Sequence, residues 1–400
     1  MDILFFANLI PFPLDGGGKI FTYSVLKALS KDNNIDLICF YEHEDVEKAR
    51  KELMTLCNSI TVLPIKVTTS ENIKLMMAKA IGSLGSTYPL GVKKYITSEM
   101  KSALHSIMNK KKYACAFFNI LAMYAYAPIV KEIDNSIKTV LYEQNCEALI
   151  YERYFKETSN FMKKIFLQIE SSKLKRFEQN SINSCDQLIL LSKEDQKALG
   201  VSNQKCSVIP IGIDPVTYQK NYFERVNGVL KMLFVGTMTW SPNNEGIVWF
   251  LENVMPLYAD NKKYELYIVG KNPSEKVQRL CAKYNNVQLM GYVDSVEDYY
   301  KKCDILIVPL FIGSGQRVKI IEAFSRGFVA VSTTIGVEGL YYRNGDTILI
   351  ADSKEEFKIQ IDRCFDSSLL KKIGDGSKRV FEQEYSTDII AKKLNQVIYK

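Results

Sequence analysis

The sequence predicts an α/β protein of two domains, each built on a parallel sheet. Apolar runs of strand length alternate with segments of helical periodicity, the pattern of parallel strands joined by right-handed crossovers. The runs form two series, and a chain of 400 residues is too long for one ordinary hydrophobic core. Gly212, Asp214 and Pro215 interrupt the pattern between the series, so we place the division after Gly212.

The predicted strands set the domain limits. The first series is Asp2–Ala7, Ile35–Phe40, Ser59–Ile65, Tyr113–Phe118, Thr139–Tyr142, Gln187–Leu191 and Ser207–Ile211. The second series is Lys231–Val235, Tyr264–Val269, Val287–Leu289, Asp304–Leu310, Phe328–Ser332 and Thr347–Ala351. We expect an N-terminal domain at 1–212, a C-terminal domain at 213–384, and a last helix at 385–400 that packs on the second domain or crosses back to the first. Ligands of such a pair are expected in the cleft between the domains.

Composition excludes several classes of protein. Hydrophobic content of 47% and charged content of 24% are typical of a soluble globular chain. The net charge of +7 suits an anionic substrate or an acidic membrane surface, but the basic residues are dispersed, which argues against nucleic acid binding. The 9 cysteines are scattered without C-x-x-C spacing, so we expect reduced core residues of a cytoplasmic protein and no zinc site.

The segment from Gly313 to Gly327, GSGQRVKIIEAFSRG, is the most informative part of the chain. It follows a predicted buried strand, and the carboxyl ends of parallel strands are where such sheets hold ligands. If a helix starts near Gln316 or Arg317, its amino end carries partial positive charge, and Arg317 and Lys319 add two full charges there. This combination forms a site for phosphates.

Glu322 lies three residues after Lys319 and so projects from the same helix face. A carboxylate repels phosphate but accepts hydrogen bonds from sugar hydroxyls. A nucleoside diphosphate would satisfy both groups, with its phosphates on Arg317 and Lys319 and its ribose diol on Glu322. The alternative is that these charges are an ordinary solvated helix face.

Glycines mark two further candidate sites. Gly16, Gly17 and Gly18 follow the first strand and precede a helical pattern, where positive φ and a helix start would let a ligand approach the backbone. A plain flexible turn explains them equally well. In the second domain, Gly236 and Thr237 follow the strand Lys231–Val235. Tyr292 and Val293 follow the strand Val287–Leu289, and their backbone could pair with a base; the alternative is that Tyr292 is a core residue.

These segments resemble the retaining, nucleotide-sugar-dependent glycosyltransferases of the GT-B fold, family GT4 (glycosyl transferases group 1). The matching segments are FVGTMTWSPN (Phe234–Asn243), YIVG (Tyr267–Gly270), GYVDSVEDYY (Gly291–Tyr300), DILIVPLFIGSGQRVKIIEAF (Asp304–Phe324) and TIGVEGL (Thr334–Leu340). In the first domain, PFPLDGGGK (Pro11–Lys19) resembles the family's glycine-rich loop, and VIPIGID (Val208–Asp214) its interdomain connection.

The resemblance implies two Rossmann-like domains facing each other across a cleft. It implies that Glu322 binds the donor ribose and that Arg317 and Lys319 bind the diphosphate and act in catalysis. The Gly16–Gly18 loop would approach the donor sugar and phosphate. Ser314 and Gly315 belong to the matching donor loop. Many relatives carry a glutamate where this chain has Ser314, whereas a subset of the family with a G-S-G loop shares the serine.

The chemistry of glycosyl transfer agrees with this interpretation. The leaving nucleoside diphosphate accumulates negative charge on its β-phosphate, and the chain has no D-x-D sequence to hold a metal there. Arg317, Lys319 and the helix start would stabilise that charge instead. We therefore expect no metal and no cofactor besides the nucleotide sugar, which is a co-substrate.

The acceptor side is expected after the strand Thr139–Tyr142, where Glu143 to Glu147 bring carboxylates and amides; we take Glu147 as a further catalytic candidate. An acidic first turn of a helix is the alternative. The following segment, Tyr151–Gln179, is expected to be a long amphipathic helix that covers the domain or rests on an anionic membrane holding a lipid-linked acceptor.

The sequence thus predicts a cytoplasmic enzyme. Peripheral contact with the inner face of the membrane is the alternative localisation. The enzyme would transfer a sugar from a nucleotide sugar to a glycan or lipid-linked saccharide in polysaccharide biosynthesis, with retention and without a metal. Two alternatives stay open. One is a GT-B sugar-nucleotide epimerase, and the other is an inactive nucleotide-sugar-binding partner, which is considered because Ser314 stands where many relatives have a glutamate.

Overall fold

The chain divides into two compact units. The computed structural model describes residues 1–14, 16–66, 86–158, 160–202, 204–216, 222, 228–259, 261–313 and 315–400. The first unit contains Met1–Gly212 together with Thr387–Lys400, and the second contains Ile213–Ser386. The predicted last segment, 385–400, is therefore shared, because Tyr385 and Ser386 belong to the second unit. Tyr385 accepts a backbone hydrogen bond from Ile213 there.

A parallel sheet of 7 strands forms the centre of the first unit, in the order β3-β2-β1-β4-β5-β6-β7. The strands are β1 (Asp2–Phe6), β2 (Asn34–Tyr41), β3 (Ser59–Pro64), β4 (Cys115–Phe118), β5 (Lys138–Glu143), β6 (Gln187–Leu190) and β7 (Cys206–Val208). Most residues of β1, β2, β4 and β5 are buried, which is why these strands read as continuous apolar runs.

Helices of the first unit connect and flank these strands. They are α1 (Gly17–Leu29), α2 (Val46–Leu53), α3 (Leu90–Lys93), α4 (Ser98–Lys110), α5 (Ala127–Ile133), α6 (Glu147–Glu157), α7 (Phe161–Ser184), α8 (Lys193–Leu199) and α15 (Thr387–Ile398), with a 3₁₀ turn at Leu121–Tyr126. The chain's last helix, α15, packs against α1.

The expectation of one long helix over Tyr151–Gln179 is wrong. Two helices, α6 and α7, pack against each other in its place. Thr158, directly after the first helix, has extended dihedral angles. Asn160 caps the second helix, and its side chain accepts a hydrogen bond from the Lys163 amide. An asparagine in this position is a strong helix start, so it overrides the continuous amphipathic pattern.

The second unit contains a parallel sheet of 6 strands in the order β10-β9-β8-β11-β12-β13. The strands are β8 (Leu230–Val235), β9 (Tyr264–Val269), β10 (Val287–Gly291), β11 (Ile305–Val308), β12 (Val329–Ser332) and β13 (Leu349–Ile350). Its helices are α9 (Ser241–Asn253), α10 (Glu275–Cys281), α11 (Glu297–Lys302), α12 (Val318–Ser325), α13 (Lys354–Arg363) and α14 (Ser367–Glu384), with a 3₁₀ turn at Met255–Tyr258.

Two parallel sheets with connecting helices confirm the predicted α/β class, and every predicted strand has an observed counterpart. All nine cysteines are buried and free, as the sequence predicted. In the described part of the chain, no helix has the length and apolar character needed to cross a membrane.

Gly246 sets how closely helix α9 approaches the sheet of the second unit. A Cβ at this position would lie 2.2 Å from the carbonyl oxygen of Pro309, which follows β11. Since that contact is with backbone, it cannot be relieved by a side-chain rotation. The close approach fixes the start of α9 beside the loop that leaves β11.

We predict that Gly246→Ala lowers the free energy of unfolding by about 1–3 kcal/mol, because the added methyl group forces α9 away from Pro309. In a helix without such a contact the same change stabilises by up to about 1 kcal/mol. Gly91→Ala in α3 is the matched control, since a Cβ there meets nothing within 4 Å. Urea unfolding monitored by circular dichroism measures both; a Gly246→Ala protein as stable as the native one would contradict the prediction.

Candidate nucleotide-sugar site

The candidate site lies where the strand order of the second unit changes direction. Strand β8 pairs with β9 on one side and with β11 on the other. The loops that leave the carboxyl ends of β8 and β11 therefore emerge side by side and run to opposite faces of the sheet. This is the topological switch point at which open α/β sheets bind ligands.

The loop after β11 depends on two glycines. Gly313 has φ +128° and Gly315 has φ +76°, values that residues with a Cβ rarely adopt. A Cβ on Gly313 would also lie 2.8 Å from Nη2 of Arg317. Ser314, between them, lies outside the described residues. Both glycines thus adopt a conformation that favours glycine, and the chain continues from Gly315 into α12.

Arg317 closes this loop and does not extend from it. It precedes α12 with non-helical dihedral angles, and its side chain is buried. Its Nη1 donates a hydrogen bond of 2.6 Å to the Gly315 carbonyl oxygen, and its guanidinium lies 5.6 Å from the centre of the Trp240 ring. The sequence analysis expected the Arg317 guanidinium to bind phosphate. In the structure, Arg317 makes contacts that shape the loop, and its charge lies at the helix start.

Lys319 lies in the first turn of α12 and is half-buried. Its Nζ donates a hydrogen bond of 2.8 Å to Oδ1 of Asn243 and lies 5.0 Å from the centre of the Phe234 ring. Burial and, to a lesser extent, the nearby Arg317 charge lower the pKa of Lys319 to about 7, against a smaller opposite effect of Glu322. The first turn of α12 contains no acidic residue, so this ammonium has no ion-pair partner on its own helix turn.

Glu322, one turn further along α12, is half-buried. Burial raises the pKa of its carboxyl group, whereas the nearby Arg326 guanidinium lowers it. The Arg326 side chain bonds to the Glu322 carbonyl oxygen and, at 2.6 Å, to the carboxylate of Glu297. Arg326 is thus held mainly by Glu297, and the Glu322 carboxylate remains a candidate acceptor for hydroxyl groups.

Gly236 and Thr237 leave β8 beneath the start of α9. A Cβ on Gly236 would lie 2.6 Å from Nδ2 of Asn243, and a Cβ on Gly270 would lie 1.9 Å from the Gly236 carbonyl oxygen. Thr237 contributes its carbonyl oxygen, which accepts a 3.0 Å hydrogen bond from Asn243 Nδ2. The role of Gly236 in this structure is therefore close packing of the neighbouring loops.

Tyr292 and Val293 follow β10. Tyr292 is 60% exposed, so the alternative of a core residue is wrong; Val293 is half-buried. The Tyr292 ring lies 4.6 Å from Nζ of Lys271, and Gly270 donates a backbone hydrogen bond to the Gly291 carbonyl oxygen. The ends of β9 and β10 thus present an aromatic ring with a cation beside it.

Sequence reasoning missed three residues of this site: Trp240, Asn243 and Lys271. Asn243 and Trp240 belong to the WSPN segment that opens α9, which the sequence analysis used only as part of a resemblance. A polar residue at a helix start just after a strand was the available signal for Asn243.

In the first unit, Gly16 precedes α1, and Gly17 and Gly18 form its first turn. The expected positive φ is wrong, because Gly16 is extended with φ −165° and the next two residues are helical. A Cβ at Gly16 or Gly18 would meet nothing within 4 Å, so local packing does not explain these glycines. Helix α1 follows β1, which lies between β2 and β4 at the switch point of this sheet.

Three carboxyl groups of the first unit lie close together near the start of α6. Burial and the neighbouring Glu178 raise the pKa of Glu143 well above its usual range, and Glu178 is raised as well. Glu147, half-buried, has its pKa raised to about 7 by burial and by Glu178. A carboxyl group that titrates near neutral pH is suited to acid–base chemistry.

Among the described residues, no group of three or more His, Cys, Asp or Glu side chains is arranged to hold a metal ion.

Comparison with known proteins gives a family match within the second unit. Residues 230–367 match the protein family described as Glycosyl transferases group 1. An uncharacterized 44.6 kDa protein in the cps region of Klebsiella pneumoniae is 25% identical over 98% of this chain and 97% of its own length.

Solved structures share the whole fold at low sequence identity. Sucrose-phosphate synthase from Thermosynechococcus elongatus has a TM-score of 0.71 and 14% identity, covering 100% of this chain and 98% of its own. Anabaena HepE in complex with UDP-glucose has a TM-score of 0.68 and 14% identity, covering 100% and 99%. A TarM mutant from S. aureus, in complex with Fondaparinux, alpha-GlcNAc-glycerol and UDP, has a TM-score of 0.69 and 11% identity, covering 100% of both chains. This chain therefore has the GT-B fold of two Rossmann-like domains, and its residues 230–367 match the family described as Glycosyl transferases group 1.

Proposed function

We propose that this protein is a glycosyltransferase that moves a sugar from a nucleoside diphosphate sugar to a glycan or lipid-linked saccharide, with retention and without a metal. The observation that carries the proposal is the Lys319 ammonium at the start of α12, at the switch point of a Glycosyl transferases group 1 domain. The UDP and UDP-glucose complexes of the similar structures support a nucleotide-sugar donor. The relative from a cps region supports a role in polysaccharide biosynthesis.

In this proposal the diphosphate lies on Lys319 and on the amide groups at the start of α12. Charge-assisted hydrogen bonds contribute about 1.5–3 kcal/mol each, and they are strongest when negative charge accumulates on the departing β-phosphate. The fixed cation thus provides the stabilisation that a metal would otherwise give. Arg317 adds its charge and holds the Gly313–Gly315 turn in shape.

The remaining groups divide by chemistry. Glu322 accepts hydrogen bonds from the ribose diol, and the exposed Tyr292 ring with the backbone at Val293 contacts the base. In the first unit, the open space at Gly16 and Gly18 admits a ligand, and Glu147 is suited to orient a hydroxyl group and exchange its proton.

We also propose that the protein contacts an anionic membrane from the cytoplasmic side. At the start of α7, Phe161 is 72% exposed and Ile165 is 41% exposed, next to Lys163 and Lys164. Exposed apolar side chains beside lysines are typical of helices that lie at a bilayer surface. A lipid-linked acceptor would be reached there.

Lys319→Ala should lower the turnover of nucleotide sugar by about 10–150-fold, the equivalent of one charge-assisted hydrogen bond in the transition state. Arg317→Ala should lower turnover and also destabilise the fold, because it releases the Gly315 carbonyl. Release of nucleoside diphosphate with and without acceptor measures this, and product analysis separates transfer from epimerisation. The exposed Lys283 provides the control Lys283→Ala; near-normal turnover of Lys319→Ala would reject the role.

The pH dependence of kcat/KM should report the Lys319 charge. Its pKa lies near 7, below the usual 10.5, so the ammonium is present below about pH 7 and is lost as the pH rises. We expect kcat/KM to fall by up to about tenfold per pH unit above pH 7. The lowered pKa also means that the Lys319 charge reduces the free energy of unfolding. This reduction is complete below about pH 7 and disappears as the pH rises towards 10.5, the pKa of the unfolded chain. Lys319→Arg, which stays charged, should lose this limb; the same limb in that variant would assign it to another group.

Phe161→Ser combined with Ile165→Ser should reduce cosedimentation with liposomes of anionic phospholipid at low salt, because the inserted apolar area is lost. Ile359→Ser, which removes a 58% exposed apolar side chain from α13, should leave it unchanged. Native protein that stays in the supernatant would argue against membrane contact.

A further inference from the structure

The side chain of Asn243 joins two elements of the candidate site. Its Nδ2 donates a 3.0 Å hydrogen bond to the Thr237 carbonyl oxygen in the loop after β8, and its Oδ1 accepts a 2.8 Å hydrogen bond from Nζ of Lys319 on α12. A carbonyl oxygen can only accept and an ammonium can only donate. These two partners therefore fix which side of the amide faces the lysine.

Packing holds this amide in place. Asn243 is 5% exposed, in the first turn of α9, and its backbone N–H bonds to the Trp240 carbonyl oxygen. A Cβ on Gly236 would lie 2.6 Å from Nδ2 and 2.9 Å from Oδ1. The glycine leaves just enough room for the amide, so the position of Oδ1, and with it that of the lysine ammonium, is set by rigid backbone.

The acceptor's lack of charge matters as much as its position. Lysine has a flexible stem, and an ammonium that must be ordered at the moment of binding costs affinity. A carboxylate would order the ammonium equally well but would cancel its charge and compete with an incoming phosphate. The asparagine amide orders Nζ and leaves one positive charge, with two of its three N–H donors still available.

We infer that Asn243 is a positioning residue for the donor diphosphate. Its neutral amide oxygen holds the Lys319 ammonium in place and so preserves the charge of the ammonium for phosphate. This inference rests on the proposed function, because it assigns the lysine to a diphosphate. Asn243 does not itself contact the diphosphate, but it sets the position of the Lys319 charge.

Two substitutions with opposite electrostatic effects test the inference. Asn243→Asp keeps the shape and places a negative charge beside Nζ, which should raise the pKa of Lys319. Asn243→Ser removes the acceptor without adding charge, which should lower that pKa. The control is Asn253→Asp at the other end of α9, where the amide donates to the Trp249 carbonyl at 2.9 Å. The pKa is read by NMR of ¹³C-methylated lysines, with the signal assigned through Lys319→Arg.

Affinity for UDP and for pyrophosphate is measured on the same proteins by calorimetry at pH 6.5. Both Asn243 variants should bind each ligand at least about tenfold more weakly, the loss of roughly one charge-assisted interaction, while Asn253→Asp binds as the native protein does. UDP affinity of Asn243→Asp within about twofold of native, or an unchanged Lys319 pKa in both Asn243 variants, would overturn the inference.

Native protein that binds neither UDP nor pyrophosphate would count against the proposed function. The lysine titration does not depend on that result. Opposite pKa shifts in the two Asn243 variants would still support the hold on Lys319, and equal shifts would exclude it.

Discussion

The candidate site depends on one charge that the fold keeps in place without neutralising it. The Lys319 ammonium is bonded to an amide oxygen, faces an aromatic ring and lies at the positive end of α12. The amide oxygen and the ring favour the ammonium without neutralising it, whereas burial and the nearby Arg317 charge disfavour it and lower its pKa. An anion at this point would relieve that cost, so the energy spent in folding is available for binding.

Backbone packing makes this arrangement possible. Gly236 leaves room for the Asn243 amide, and Gly246 lets α9 approach the Pro309 carbonyl. Gly313 and Gly315 turn the chain into α12, and Arg317 holds that turn through the Gly315 carbonyl. The glycines serve three different purposes: one makes space for a side chain, one permits close helix packing, and two adopt positive φ.

The strands were predictable because parallel strands are buried on both faces and read as uninterrupted apolar runs, as β4 and β11 do. The loop and helix of the candidate site were predictable because glycine, cation and helix start follow a strand in sequence. Asn243 was not, since its partner Lys319 lies 76 positions away and only the fold brings them together. The break between α6 and α7 was missed because one capping asparagine outweighs a continuous amphipathic pattern.

In the proposed function, Lys319 holds the diphosphate of the donor. The most direct measurement is a crystal structure of the protein with UDP. We expect a β-phosphate oxygen about 2.7–2.9 Å from Nζ of Lys319, the usual length of a charge-assisted hydrogen bond, with Oδ1 of Asn243 still bonded to the same ammonium. UDP bound with its phosphates on other residues, and Lys319 unchanged, would contradict it.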